Sequence, residues 1–330
     1  MKSDDVTFDI VPYQPEMLPR VIAVWNAALG GLFPLRETVF VQNATASAHF
    51  DPEGLSVAVA AAQRVVGMSL AKVAREPLAA DGWLPDRGWT SLIAVHPSFQ
   101  GRGVGRALLS GAEAFLRTRS RRRSILGGDP GHFLPGVPHD EAALAFFAAA
   151  KYEFEGEAYD LRRSVAGYAT PAAVMKAVRA HPDLEIRSLR SGEEGQLLAF
   201  LDETFPGRWR YTVGHHLEAG GAIGDIMGVV RARAVLGFAH LFHPASRLVG
   251  PSMTWTSNGA DPVAGLGPMG LAPTLRGRGL GLALLDRSIQ HLGALGAREI
   301  IVDWTGLTRF YGRLGFSTWK RYRHGEKVLR

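Results

Sequence analysis

No cysteine occurs anywhere in the 330 residues. Disulfides, thiolate metal sites, zinc fingers and a cysteine nucleophile are therefore excluded, and any covalent intermediate would need Ser, Thr, Lys or a carboxylate. Long apolar runs are also missing. Leu55 to Ala62, interrupted by Ser56, and Ala142 to Ala150 are the longest, far short of the roughly 18 apolar residues that cross a bilayer. No membrane partner is expected. Met1 to Asp5 carry two acids where a secretory leader is basic, and no apolar segment follows; a cytoplasmic protein is expected. His215 and His216 are adjacent rather than i, i+4, and no His-x-x-x-His with a nearby acid occurs, so no metal is expected.

With 46% hydrophobic and 21% charged residues the chain has a globular composition, not a disordered one. Its length suits two domains. Lys and Arg outnumber Asp and Glu by 37 to 31, a net charge of +6 that favours an anionic ligand without choosing one. Arg117, Arg119, Arg121, Arg122 and Arg123 read as the solvated end of a helix. No aromatic residue interleaves with them, so nucleic acid is not an expected partner.

An internal repeat organises the chain. Val95-His96-Pro97-Ser98-Phe99-Gln100-Gly101-Arg102-Gly103-Val104-Gly105-Arg106-Ala107-Leu108-Leu109 recurs as Leu271-Ala272-Pro273-Thr274-Leu275-Arg276-Gly277-Arg278-Gly279-Leu280-Gly281-Leu282-Ala283-Leu284-Leu285. Phe8 and Ile10 match Leu184 and Ile186, Val65-Val66-Gly67 matches Val235-Leu236-Gly237, and Phe146-Phe147 matches Phe310-Tyr311, all in the same order. Collinear recurrence at this scale means two copies of one domain, not a short-period solenoid. Each copy reads as strand, helices, hairpin, strand, glycine loop, helix, strand, helix, strand. That order predicts an α/β or α+β domain with a mixed sheet. The expected division is 1–165, a linker helix within 166–183 at Ala172 to Ala180, and 184–330.

Each glycine loop follows a strand and opens a helix, which places backbone N–H groups at the positive end of that helix. Gly101, Gly103 and Gly105, like Gly277, Gly279 and Gly281, permit unusual φ and close approach of a pyrophosphate. Arg102, Arg106, Arg276 and Arg278 add charged donors. A Rossmann site would need a third glycine where Arg106 and Leu282 stand, and an NTP loop would need Gly-Lys-Ser/Thr; neither pattern is present.

At these residues the chain resembles the GNAT superfamily of acyl-CoA-dependent N-acyltransferases, whose signature is Gln/Arg-x-x-Gly-x-Gly/Ala after a short strand. Phe310-Tyr311-Gly312-Arg313-Leu314-Gly315-Phe316 is similar to that family's closing helix and turn. The resemblance spans nearly the whole chain as a tandem pair. It implies two mixed, mostly antiparallel, twisted sheets flanked by helices. It also implies acetyl-CoA as donor and direct attack by an amine, with a small-molecule acceptor expected and a monomer or homodimer. By family position the cofactor-binding residues are Val95, Gln100, Gly101, Arg102, Gly103, Val104, Gly105 and Arg106 in the first copy. In the second they are Leu271, Arg276, Gly277, Arg278, Gly279, Leu280 and Gly281. The backbone N–H of Leu271 or Val95 would hold the oxyanion.

Tyr311 matches the family's general acid, whereas Phe147 at the aligned place has no proton to give; the C-terminal copy is therefore the expected catalyst. The structural alternative for Tyr311 is a half-buried tyrosine with a satisfied hydroxyl. Trp304 stands where the family commonly has Asn, and no carboxylate precedes Leu271 on its strand. Asp303 is the first candidate base, or else a helix cap. His240 and His243, acting through water, come second. Gly127 to Pro138, with Asp129 and His132, is an extra loop that either contacts substrate or fixes a turn. Glu203 to His216 and Phe33 to Asp51 are expected to shape the acceptor pocket, with Pro206 to Tyr211 either lining it or packing structurally. The rival reading is an acyl-CoA-binding sensor or scaffold without turnover.

Overall fold

The computed structural model describes residues 7–75, 85–256 and 262–330. In chain order the regular elements begin with β1 (Phe8–Pro12), α1 (Leu18–Leu29), α2 (Glu37–Phe40), β2 (Leu55–Ala60), β3 (Arg64–Lys72), β4 (Arg87–Val95) and α3 (Val104–Thr118). They continue with β5 (Arg123–Leu126), β6 (Val137–Pro138), α4 (Glu141–Ala149), β7 (Glu153–Ser164), α5 (Ala172–Arg179), β8 (Glu185–Ser188), α6 (Glu194–Thr204) and α7 (Arg208–Glu218). The last are β9 (Ile226–Arg231), β10 (Ala234–Phe242), β11 (Val263–Leu271), α8 (Leu280–Ala294), β12 (Glu299–Thr305), α9 (Thr308–Gly312) and β13 (Ser317–Val328). The helix α5 stands where the linker helix is expected and belongs to the second of two compact units.

The described residues form two compact units. One takes those up to 75, those from 85 to Ala158, and Arg321–Arg330; the other takes those within Tyr159–Lys320. In the first unit β1, β2, β3 and β4 pair antiparallel in sequence order, and β4 pairs β5 parallel. The second unit repeats this plan with β8, β9, β10 and β11 antiparallel and β11 parallel to β12. Both sheets are therefore mixed, as the element order predicts, and mostly antiparallel, as the family resemblance implies. Helices α3 and α8 each bury one stripe, Leu108, Ala112 and Phe115 in α3 and Leu285, Ile289 and Leu292 in α8. Hydrophobic spacing of this kind drives a helix onto a sheet face.

The sequence repeat and the strand pairing part company at one place. Gly325–Val328 of β13 pair antiparallel with β5, and Tyr322 and Arg323 pair with β6, so the end of the chain closes the sheet of the first unit. From Tyr159 onward β7, the last strand of the first sequence copy, pairs with β12 and closes the sheet of the second. The repeat-based division at 1–165 and 184–330 follows sequence similarity, and the contact-based units follow hydrogen bonding. Tyr322 is fully buried, and Lys327 donates to both carboxylate oxygens of Glu113 on α3 at 2.7 and 2.9 Å.

Candidate active site

In each unit the two parallel strands separate before they end. β4 and β5 pair from Arg87 with Arg123 to Thr90 with Leu126, and β4 runs on alone to Val95. β11 and β12 pair only from Val263 with Glu299 to Gly265 with Ile301, although the strands extend to Leu271 and Thr305. A wedge opens between them. Ala272 N–H donates to Leu236 O at 2.8 Å, and His96 N–H donates to Val66 O at 2.8 Å. Antiparallel hydrogen bonding alternates along a strand, so the preceding residues, Leu271 and Val95, turn their N–H groups away from β10 and β3 and toward the wedge. Two backbone donors aimed into splayed strands are suited to an anionic oxygen.

The glycine loops follow directly. Gly101, Gly103, Gly277 and Gly279 have φ of 73°, 85°, 74° and 78°, the left-handed region that favours glycine. Gly105 and Gly281 differ from the expectation: they lie inside α3 and α8 with negative φ, and a Cβ there would stand 3.3 and 3.5 Å from the rings of Phe146 and Phe310. At Gly105 the ring would have to give by a few tenths of an ångström, and at Gly281 the contact would be an ordinary one. Gln100 Nε2 donates to Val95 O at 3.0 Å, and Arg276 Nε donates to Leu271 O at 3.1 Å. The first motif residue therefore ties the loop back to the strand end in both copies. Arg102 and Arg278 are exposed on the loops and Arg106 on the first turn of α3, while Val104 and Leu280 are buried at the first turn of each helix. No protein atom lies within 4 Å of where a Cβ would stand at Gly101, Gly103 or Gly277. At Gly279 the Cβ of Ala177 lies 3.0 Å from that position, so α5 forms a wall beside the second loop.

The second unit assembles polar groups at its wedge. Tyr311 is buried in the core cluster with Leu271, Leu280 and Leu284. Burial, and then the carboxylate of Asp303, hold its phenol above the ordinary tyrosine value, so it stays protonated. Asp303 Oδ1 is 3.9 Å from where a Cβ would stand on Gly267, whose φ is 134°. Trp304 takes a left-handed φ of 43°; its N–H donates to Asp160 Oδ1 at 3.1 Å, and the Arg208 guanidinium lies 4.3 Å from its ring centre. Arg208, from the segment expected to line an acceptor pocket, is thus brought next to the Asp303 strand. Tyr211 of that segment stacks on His215 at 5.9 Å.

The first unit is apolar at the aligned places. Phe147 takes the place of Tyr311 and packs edge-on against Tyr152 at 5.6 Å; Gly127 takes that of Asp303. Its extra loop begins with Gly127 and Gly128, both at φ 68°. Asp129, fully buried, accepts from the ammonium of Lys72 at 2.6 Å. Lys72 also donates to Pro130 O at 3.3 Å and to Asn43 O, and His132 is buried nearby in sequence. Sequence reasoning found the loop but missed Lys72, a strand-end lysine with no motif around it. The arginine run makes ion pairs: Arg119 with Asp51 at 3.0 Å and Glu53 at 2.9 Å, Arg117 with Glu113 at 3.6 Å, and Arg123 with Glu326. Among the described residues no group of three or more metal-ligating side chains is placed to hold a metal ion, and no helix is long and apolar enough to cross a membrane.

Comparison with known proteins bears on the same features. The acetyltransferase (GNAT) family model matches residues 23–156 and 191–316. Mycothiol acetyltransferase of Pseudarthrobacter chlorophenolicus is 28% identical over 250 residues, covering 71% of this chain and 69% of that protein. The enzyme of the same name from Geodermatophilus obscurus is 27% identical over 249 residues, covering 70% and 73%. Among solved structures, the GCN5-related glucosamine N-acetyltransferase region of a fungal multi-domain GH3 β-N-acetylglucosaminidase superposes with a TM-score of 0.87 at 26% identity. That match covers 98% of this chain, which spans only 38% of the fungal one. A tandem GNAT protein from the clavulanic acid biosynthesis pathway shares the fold, with a TM-score of 0.65 at 17% identity over 98% of this chain and 99% of that one. With two separate regions matching one family model, and two splayed-sheet units each carrying a glycine loop, the chain belongs to the GNAT family of acetyltransferases as a tandem member.

Proposed function

We propose that the protein moves an acetyl group from acetyl-CoA to the primary amine of an amino sugar or a similarly small molecule, and that the second unit does the chemistry. The observation that carries this reading is Tyr311, buried beside Asp303 at the wedge, where the first unit has Phe147 and Gly127. An N-acetyltransferase needs a donor for the oxyanion, an acid for the leaving thiolate and a route for the ammonium proton. Leu271 N–H, Tyr311 and Asp303 take these roles in order. Gly277, Gly279 and the amides that open α8, with Arg278 beside them, fit the pyrophosphate. Arg276 holds the strand end from which the Leu271 N–H projects. The amino-sugar acceptor is supported by the fungal glucosamine N-acetyltransferase region, similar over nearly the whole of this chain.

The first unit supports a second role. Its loop carries the same open glycines, but with Phe147 and Gly127 at the places of Tyr311 and Asp303 it binds acyl-CoA without turnover. Release of free CoA thiol on mixing acetyl-CoA with D-glucosamine tests the main reading. Replacing Tyr311 by Phe is expected to lower kcat by about 100-fold, the lower end of the range for general acid catalysis, with acetyl-CoA affinity unchanged. Undiminished turnover in that variant would remove Tyr311 from the mechanism.

A further inference from the structure

His240, on β10, is fully buried, and neither ring nitrogen has a hydrogen-bond partner in the protein. Buried polar groups are nearly always paired, and an imidazole with both nitrogens bare calls for an explanation. Its ring meets that of His216 on α7 at 4.5 Å and lies over Phe242 at 4.0 Å. His216 Nε2 donates to Ala222 O at 3.1 Å and is 3.6 Å from Asp225 Oδ2. Asp225 Oδ1 in turn is 3.1 Å from Nε2 of His243, which is partly exposed. His291 of α8, within hydrogen-bond reach of Ser188 Oγ at 3.5 Å, is a further titratable group near this outer end, and Arg247 Nε donates to Ala219 O at 3.2 Å at the end of α7. Ionisable side chains therefore run from a core imidazole to the surface, joined by ring contact between His240 and His216, whose Nδ1 also has no hydrogen-bond partner in the protein.

The inner end lies beside β11, the strand that borders the wedge. Ala239, Leu241, Ile300 and Val302 all pack into the core with α8. Side chains alternate along strands, so His240, between Ala239 and Leu241, lies on the opposite face of the sheet. Only β11 separates β10 from the strand of Asp303, and it bulges there: Ala239 pairs with Met269 and Leu241 with Leu266, leaving His240 opposite Gly267 and Pro268. Beside Gly267 the missing side chain leaves a space whose nearest protein atom, 3.9 Å from the Cβ position, is Asp303 Oδ1. The first unit again differs, since Leu70 holds the place of His240.

We propose that His240 is a proton-relay residue of the acetyl transfer, linking a water beside Gly267 and Asp303 to the His216–Asp225–His243 string. The inference rests on the reading that the second unit is the catalyst. In the step it serves, the substrate ammonium gives one proton to the relay, which passes it to solvent. The freed amine bonds to the acetyl carbon, the carbon–sulfur bond breaks, and the thiolate takes a proton from Tyr311. The phenol regains its proton from the nitrogen of the new amide, so acetyl-CoA and the ammonium become amide, CoA thiol and one solvent proton. Burial, and then the charge of His216, hold His240 below the ordinary imidazole range. It therefore stays neutral, with one N–H and one lone pair, the state a relay needs.

The test compares wild type, His240→Phe and His240→Gln in acetyl-CoA-dependent turnover of D-glucosamine from pH 6.5 to 9.5. His240→Phe is expected to lower kcat at least tenfold at the acidic end, with KM for acetyl-CoA unchanged. The deficit should shrink to within about twofold at the alkaline end, where the amine arrives unprotonated, and His240→Gln should recover part of the loss. A loss equal at every pH, or none in folded His240→Phe protein, would overturn the proposal. Exchange of the His240 ring N–H with solvent, followed by nitrogen-15 NMR of the intact protein, supplies a readout independent of the acceptor. Rapid exchange supports the relay, whereas protection comparable to that of core amides would overturn it. Absence of turnover in wild type with rapid exchange would count against the acceptor and leave the relay supported.

Discussion

The ion pair of Lys72 and Asp129 offers a demanding test of how the first unit is held together. Both side chains are fully buried, and the ammonium donates to one carboxylate oxygen and two backbone carbonyls, so its three protons are all engaged. Removing either partner leaves a charge in the core, and breaking such a pair costs about 3–5 kcal/mol. Whole-domain stabilities are only about 5–15 kcal/mol, so Lys72→Met or Asp129→Asn is expected to remove a large share of the stability of this unit. With an m-value of about 2 kcal/mol per molar urea, the midpoint of its transition falls by about 2 M. The double variant has no stranded ion and is expected to be less damaged than the two single losses added together, with a coupling of several kcal/mol. Urea unfolding followed by circular dichroism measures all four proteins. A single variant losing less than about 1 kcal/mol, or strict additivity, would refute the picture of a dry, fully paired ammonium. Because the pair pins Asp129 to Lys72, the same variants should also loosen Gly127 to Pro138, which hydrogen exchange would register.

Two further outcomes are expected. The imidazole of His240 is held below its ordinary value, so the unfolded chain binds a proton that the folded one refuses; stability conferred by the neutral ring is intact above about pH 6.5 and declines as pH falls below it. The urea midpoint of wild type should drop more steeply between pH 7 and pH 5 than that of His240→Phe, and parallel curves would contradict the assignment. Glu193 is held at about 2 by its hydrogen bonds with Arg187. Stability from this carboxylate is present above the unfolded value near 4.5 and is lost as pH falls toward about 2. Glu193→Gln should therefore destabilise at pH 6 and make little difference at pH 2, as thermal melts at the two pH values would show.

Local chemistry explains what was readable from the sequence. Ile226–Arg231 and Ala234–Phe242 form the expected hairpin because their apolar runs flank a short turn, and the left-handed Ala232 makes that turn. The glycine loops and the closing Tyr-x-x-Leu-Gly-Phe are contiguous, so their geometry travels with their letters. Long-range partners were not readable. Nothing in Ser317–Val328 distinguishes a strand that joins β5 from one that joins β12, since periodicity reports a strand and not its neighbour. Family position alone assigns Gln100 and Arg276 to the cofactor. Only the fold reveals that each reaches a carbonyl five residues back. Ala177 against Gly279, and His240 across the bulge from Asp303, depend on the packing of whole elements.

The pairing of β13 with β5 has a consequence in time. A ribosome releases Ala158 about 160 residues before Arg321 and its successors, a wait of roughly 8–30 s at synthesis rates of about 5–20 residues per second. During that interval β5 is a bare sheet edge, and such edges recruit strands from other chains. The arginine at its start, Arg123, later neutralised by Glu326, keeps a charge on that edge until its own strand arrives. The unit made first is thus the one completed last.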